Sequence, residues 1–159
     1  MTYQIILYFV ILVVFVSYVG YIWAKYGVQT SISQSYYVLP KNWKFLMTFF
    51  CWGFAFPAMI LGSSGLMFLA GSGIAFVGAA AAFRQTMTHG VHMAGAGIGV
   101  AASQLAIILQ YHMWPISVAF AVISLLLLLF RKQIEYKHIW WIEIAAFISI
   151  CVVLGINIF

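Results

Sequence analysis

The side chains able to do chemistry in this chain are few, and most lie at the edges of apolar runs. His89 and His92 are three apart, which on a helix places both imidazoles on one face. That is one of the spacings that lets two histidines approach a common metal ion. Glu143 lies about one turn inside the last apolar run, with Glu135 and His138 just before it. Ser31 and Ser33 close a polar segment after the first run. An ionisable group inside lipid is costly, so the carboxyl of Glu143 marks a site worth locating.

Each of these residues also has a plain structural reading. The histidines fit as interfacial side chains bonded to loop carbonyls. Glu143 fits as a carboxyl bonded to a neighbouring helix, or paired with Arg84 or a histidine. His138 fits as a solvated interface residue, and Ser31 and Ser33 as turn or helix-cap residues.

The elements that must position them are set by composition. Of 159 residues, 66% are apolar and 6% charged, against about 25% charged in a soluble domain. Such a surface needs lipid as its solvent. A hydrocarbon core takes about 20 helical residues to cross, and six runs approach that length, at residues 5–24, 45–61, 66–83, 92–111, 114–130 and 139–158. The expected fold is all-α: a polytopic membrane protein, one transmembrane domain over 1–159, built as a six-helix bundle. The first run has no basic segment before it and ends in Trp23-Ala24-Lys25-Tyr26, so it reads as a retained span rather than a cleaved signal. Pro57 should kink the second run.

Seven Lys and Arg stand against two acidic residues, both Glu. Lys25, Lys41 and Lys44 fall in loop one, Arg84 in loop three, and Arg131, Lys132 and Lys137 in loop five. With six spans all seven share one side. The positive-inside rule makes that side cytoplasmic and puts both termini on the non-cytoplasmic side. The polar candidates gather at the same face. No nucleic-acid motif accompanies the basic residues, and nucleic acid is not an expected partner. Cys51 and Cys151 lie inside apolar runs and read as small hydrophobes. Trp23, Trp43, Trp114, Trp140 and Trp141 read as an interfacial belt, with Trp52 inside its span. Gly71, Ala75, Ala79 and Ala82 in the third run, and Gly90, Ala94, Gly95 and Gly99 in the fourth, form small-residue faces for close helix packing, within the chain or in an oligomer.

The segment Ser31-Ile32-Ser33, His92 followed by Ala94, Gly95 and Ala96, and an acidic residue at Glu135 or Glu143 resemble a pattern seen elsewhere. It is that of the Frag/DRAM-like small bacterial membrane proteins, grouped with alkaline ceramidases in the CREST superfamily of membrane hydrolases. The resemblance implies a bacterial inner-membrane protein that hydrolyses a lipid amide or ester. It also implies a zinc ion held by histidines, with a serine and an acidic residue close by. The chain departs from that pattern in having no Asp and no late His-x-x-x-His pair. A three-histidine set here would be His89, His92 and His138, with a zinc-bound water activated by the metal. Glu143 would then be base or orienting group, and Ser33 or Ser31 would hold the substrate carbonyl.

Two other classes remain open at this stage. One is a non-enzymatic protein that binds a lipid or small apolar ligand as sensor or accessory subunit. The other is a transporter or channel, which usually carries ionisable groups at mid-membrane depth.

Overall fold

The computed structural model describes residues 2–62, 65–82 and 87–159, except for the side chains at 81, 82 and 87–89. The described residues form helices and no strand. These are α1 (Thr2–Tyr26), the short α2 (Ser35–Val38), a 3-10 turn (Lys41–Trp43), α3 (Phe45–Leu61), α4 (Gly65–Ala82), α5 (Met87–Leu105), α6 (Trp114–Leu129) and α7 (His138–Ile158). Four of these segments are long and apolar enough to cross a membrane: Thr2–Tyr26, Lys41–Leu61, Gly90–Gln110 and His138–Ile158. They are compatible with an integral membrane protein. The third and fifth apolar runs give shorter helices, of 18 residues in α4 and 16 in α6.

Local chemistry sets the helix ends. α1 stops where Gly27 takes a left-handed φ of 74° and its N–H donates to the Trp23 carbonyl at 3.0 Å, the glycine stop of an α-helix. α6 begins with Pro115 in its first turn, where a missing N–H costs nothing. α3 runs on as one helix through Pro57. α5 passes into a π-helical turn over Ala106–Gln110, which carries the Gln110 amide to the Gly62 carbonyl at 3.1 Å.

The contacts between helices fix their directions. Thr48 near the start of α3 bonds Gly78 near the end of α4, at 3.0 Å. Gln110, beyond α5, meets Gly62 before α4. At the start of α7 the Trp140 N–H donates to Thr30, which follows α1, at 3.2 Å. At the other end of this helix pair, Tyr8 packs edge-on against Phe159, with centroids 5.9 Å apart. These contacts make α3 antiparallel to α4, α4 antiparallel to α5 and α1 antiparallel to α7. The described basic residues Lys25, Lys41, Lys44, Arg131, Lys132 and Lys137 fall at one end, and residues 2 and 159 at the other. Arg84 lies outside the described residues.

Small residues let α4 sit between two neighbours. A Cβ on Gly73 would fall 2.6 Å from the Gly95 carbonyl oxygen and from the Gly99 nitrogen of α5. A Cβ on Gly71 would meet Met59 of α3, and one on Gly78 would lie 2.6 Å from the Cys51 Cβ. Gly95 and Gly99 thus serve the packing role expected of them. Gly90 and Gly97 face open space.

The aromatic belt holds for Trp23, Trp43 and Trp114, which are exposed at helix ends, but not for Trp140, which is wholly buried. Trp140 sits where loop one folds onto α7, so it is a core residue. Trp52 inside α3 donates its indole N–H to the Ala75 carbonyl at 3.1 Å.

Candidate functional site

The basic end of the bundle is closed by the segment between α1 and α3, and Ile32 is its fastening point. The Ile32 N–H donates to Oε2 of Glu143 at 2.5 Å. The Ile32 carbonyl accepts from the Ser35 hydroxyl at 2.5 Å. Ser35 in turn accepts from the Tyr18 hydroxyl at 2.5 Å, whose oxygen also lies 3.3 Å from the Met47 sulfur. Ser35 is wholly buried and Tyr18 nearly so. One polar chain thus ties α7, loop one, α1 and α3 together where water is scarce. Each bond there is worth more than at a wet surface.

Under this segment lies a cavity with about 60 Å³ of space open to the centre of a water-sized molecule. Its lining residues with polar side chains are Glu143, Ser33, Ser103 and Cys51. The rest is apolar, supplied by α3, α4, α5 and α7, with Phe50, Ile74, Val77 and Phe147 among the larger side chains. Glu143 accepts the Ile32 N–H through one of its two oxygens. A carboxylate has about four acceptor positions, so Glu143 presents spare acceptor capacity to the cavity. Ser103 donates to the Val100 carbonyl at 2.8 Å.

The expected site residues separate into groups. Ser33 and Glu143 line this one cavity. Ser31 does not; its hydroxyl lies 3.0 Å from that of Ser33 and accepts the Gln34 N–H at 3.1 Å. That is the turn-capping role open to it. His92 is partly buried on α5, four residues before Ala96, which lines the cavity. It therefore stands about one turn toward the basic end on the same helical face. The His89 side chain lies outside the described residues. His138 opens α7, five residues before Glu143, so the two are turned about 140° apart around the helix. The His138 Nδ1 is buried with no hydrogen-bond partner among the described residues.

Among the described residues no group of three or more His, Cys, Asp or Glu could hold a metal ion. The set His89, His92 and His138 is therefore not assembled by the described side chains alone. Glu135 is far from a buried acid: it is exposed and pairs with Lys137 at 2.5 Å. That hydrogen bond and the lysine charge hold its carboxyl below the usual range.

Several polar residues of the interior escaped the sequence reading. Tyr18 carried a signal, because a tyrosine hydroxyl within an apolar run needs a partner. So did Gln104 in the fourth run and Ser149 in the sixth. The Gln104 amide donates to the Ser149 hydroxyl at 3.0 Å, which donates to the Ala146 carbonyl at 2.7 Å. Ser117 of α6 donates to the Gln104 carbonyl at 3.3 Å. This group pins α5, α6 and α7 together, as polar side chains do between helices in lipid.

No family model, curated protein or solved structure matches the chain.

Proposed function

We propose that the chain is a six-span protein of a bacterial inner membrane that binds a small amphipathic ligand beneath its first loop. The head of that ligand offers an N–H or O–H group to Glu143 and Ser33, and the cavity, at about 60 Å³, takes the head and the first few carbons of its apolar body along Phe50, Phe147 and Val77. The observation that carries this reading is a largely apolar cavity lined by a carboxyl, Glu143, with spare acceptor capacity. A largely apolar pocket with a few placed polar groups is the usual form of a small-molecule site. The basic end faces the cytoplasm in this reading, and both termini face away from it. Helices α4 and α6, at about 27 and 24 Å by their helical rise, cross by drawing the bilayer thin or by ending among the headgroups.

Octylamine and octanoate test the ligand class, since they share a tail and differ in the head. A ligand that binds the folded state raises the unfolding temperature. Octylamine should raise it for the wild type and much less for Glu143→Ala, with octanoate giving no rise. Equal effects of the two amphiphiles, or an octylamine effect untouched by Glu143→Ala, would contradict the reading.

A second reading, hydrolysis of a lipid amide or ester, is favoured by Ser33 and Glu143 sharing one cavity. There Ser33 would hold the substrate carbonyl by its hydroxyl and Glu143 would orient the attacking water. The zinc implied by the family resemblance would require His89, His92 and His138 together. Zinc at one equivalent in pure protein, lost in His92→Ala, would support that set, and its absence would remove the reading. An oligomer built on small-residue faces would use Ala94 and Gly97, because Gly73, Gly95 and Gly99 are occupied within the chain.

A further inference from the structure

A second concave surface lies outside the Glu143 cavity, on the lipid-facing side of α1 and α3. It is a groove lined by Val13, Ser17, Tyr21, Trp43, Leu46 and Phe49, among others. It offers about 330 Å³ to the centre of a water-sized molecule. Its walls are apolar along their length, and it ends at the basic end of the bundle. There Trp43 stacks on Tyr21, with centroids 6.5 Å apart. Lys25 reaches over the same tyrosine: its Nζ donates to the Tyr21 hydroxyl at 3.3 Å and lies 5.5 Å from the ring centre. The 3-10 turn that brings Trp43 to the groove also carries the exposed Lys41. Neither glutamate lines the groove: Glu135 is held by Lys137, and Glu143 lies in the other cavity.

We infer that this groove is a binding site for an anionic phospholipid of the surrounding bilayer. One acyl chain lies between α1 and α3, and the phosphate sits at Lys25 and Lys41. Shape and charge together argue for that occupant. An apolar slot of this kind suits a hydrocarbon chain. Its aromatic rim, Tyr21 and Trp43, suits the depth of the headgroups, where amphipathic rings concentrate. The ammonium of Lys25, beside the groove's Tyr21, and that of Lys41, two residues before its Trp43, complement a phosphate. Each lysine near an anionic headgroup is worth about a factor of five in binding. The groove therefore selects anionic over zwitterionic lipid, which a merely greasy surface does not.

Native mass spectrometry of the protein in detergent, offered equal phosphatidylglycerol and phosphatidylcholine, reads this selectivity as a ratio of adducts. The wild type should prefer phosphatidylglycerol by about tenfold or more. Lys25→Ala with Lys41→Ala should bring the ratio close to one. Arg131→Ala with Lys132→Ala removes the same charge from the same end away from the groove, and should leave the ratio near its wild-type value. Ser17→Trp fills the slot from an exposed position and should reduce retention of both lipids. A wild type without preference would overturn the inference, as would an equal loss in the two double variants. Retention unchanged in Ser17→Trp would also overturn it, by placing the lipid elsewhere. Unfolding temperatures of the variants confirm that each is folded, and octylamine binding at Glu143 reports separately on the other site.

Discussion

Ile32 is held from both sides of its peptide unit, by Glu143 through its N–H and by Ser35 through its carbonyl. Replacing Glu143 by Ala leaves that N–H without its acceptor in an apolar setting, a loss of about 1–3 kcal/mol for a buried donor left unsatisfied. Calorimetry should show the lower unfolding temperature, with Glu143→Gln keeping an acceptor and losing less. Tyr18→Phe should cost about 1 kcal/mol by the same measurement, from the hydroxyl bond to Ser35. Glu135 behaves differently. Its carboxyl lies below the usual range because Lys137 holds it. Whatever the pair contributes is present above the ordinary carboxylate range and lost as pH falls through the lowered value. An exposed pair of this kind contributes little, so Glu135→Gln should leave the unfolding temperature almost unchanged at pH 7.

Glu143 was legible in the sequence because a carboxyl inside an apolar run has few innocent explanations. The serines were not. Ser31, Ser33 and Ser35 fall within five residues, and which of them faces inward depends on the single turn of α2. The structure buries Ser35, places Ser33 in the cavity lining and leaves Ser31 capping the turn.

At the scale of elements, α4 uses two faces. Gly71 meets α3 and Gly73 meets α5, and residues two apart point about 200° apart on a helix. The row of small residues four apart in the third run exposes the face toward α3, but Gly73 stands off that row. Its partners Gly95 and Gly99 were legible in the fourth run. A side chain on Gly73 would press on backbone rather than on a flexible neighbour, so relief requires α4 and α5 to separate. Gly73→Val should cost about 1–3 kcal/mol or more. Gly97→Ala meets nothing and should be neutral or stabilising by up to about 1 kcal/mol. Denaturation in detergent compares the two directly.

At the scale of the molecule, the lysines and arginines among the described residues gather at one end of the helices. Loop charge alone predicted that the segments after α1 and after α6 share an end, and the bond from Trp140 to Thr30 joins them there. The number of crossings was less legible, because α4 and α6 are short for the bilayer and length is the main signal for a span. Cysteine labelling from outside intact cells, in a background lacking Cys51 and Cys151, measures the crossings. With six spans, His112→Cys and Phe159→Cys should react with a membrane-impermeant maleimide, and Gln133→Cys should be protected. Protection of His112→Cys with labelling of Phe159→Cys would contradict the six-span arrangement.

The central claim is that the cavity under loop one holds an amphipathic ligand by its head at Glu143. It is tested most directly by extracting wild type, Glu143→Ala and Ala96→Phe after identical purification and comparing the retained small molecules by mass spectrometry. Ala96 lines the cavity, so a phenyl ring there takes up its space while Glu143 and Ile32 keep their identities. The account predicts a species near one equivalent in the wild type, bearing an amine, amide or hydroxyl head, and reduced about tenfold or more in both variants, the loss expected when a buried polar contact is removed. The same species at equal amounts in all three proteins would contradict it.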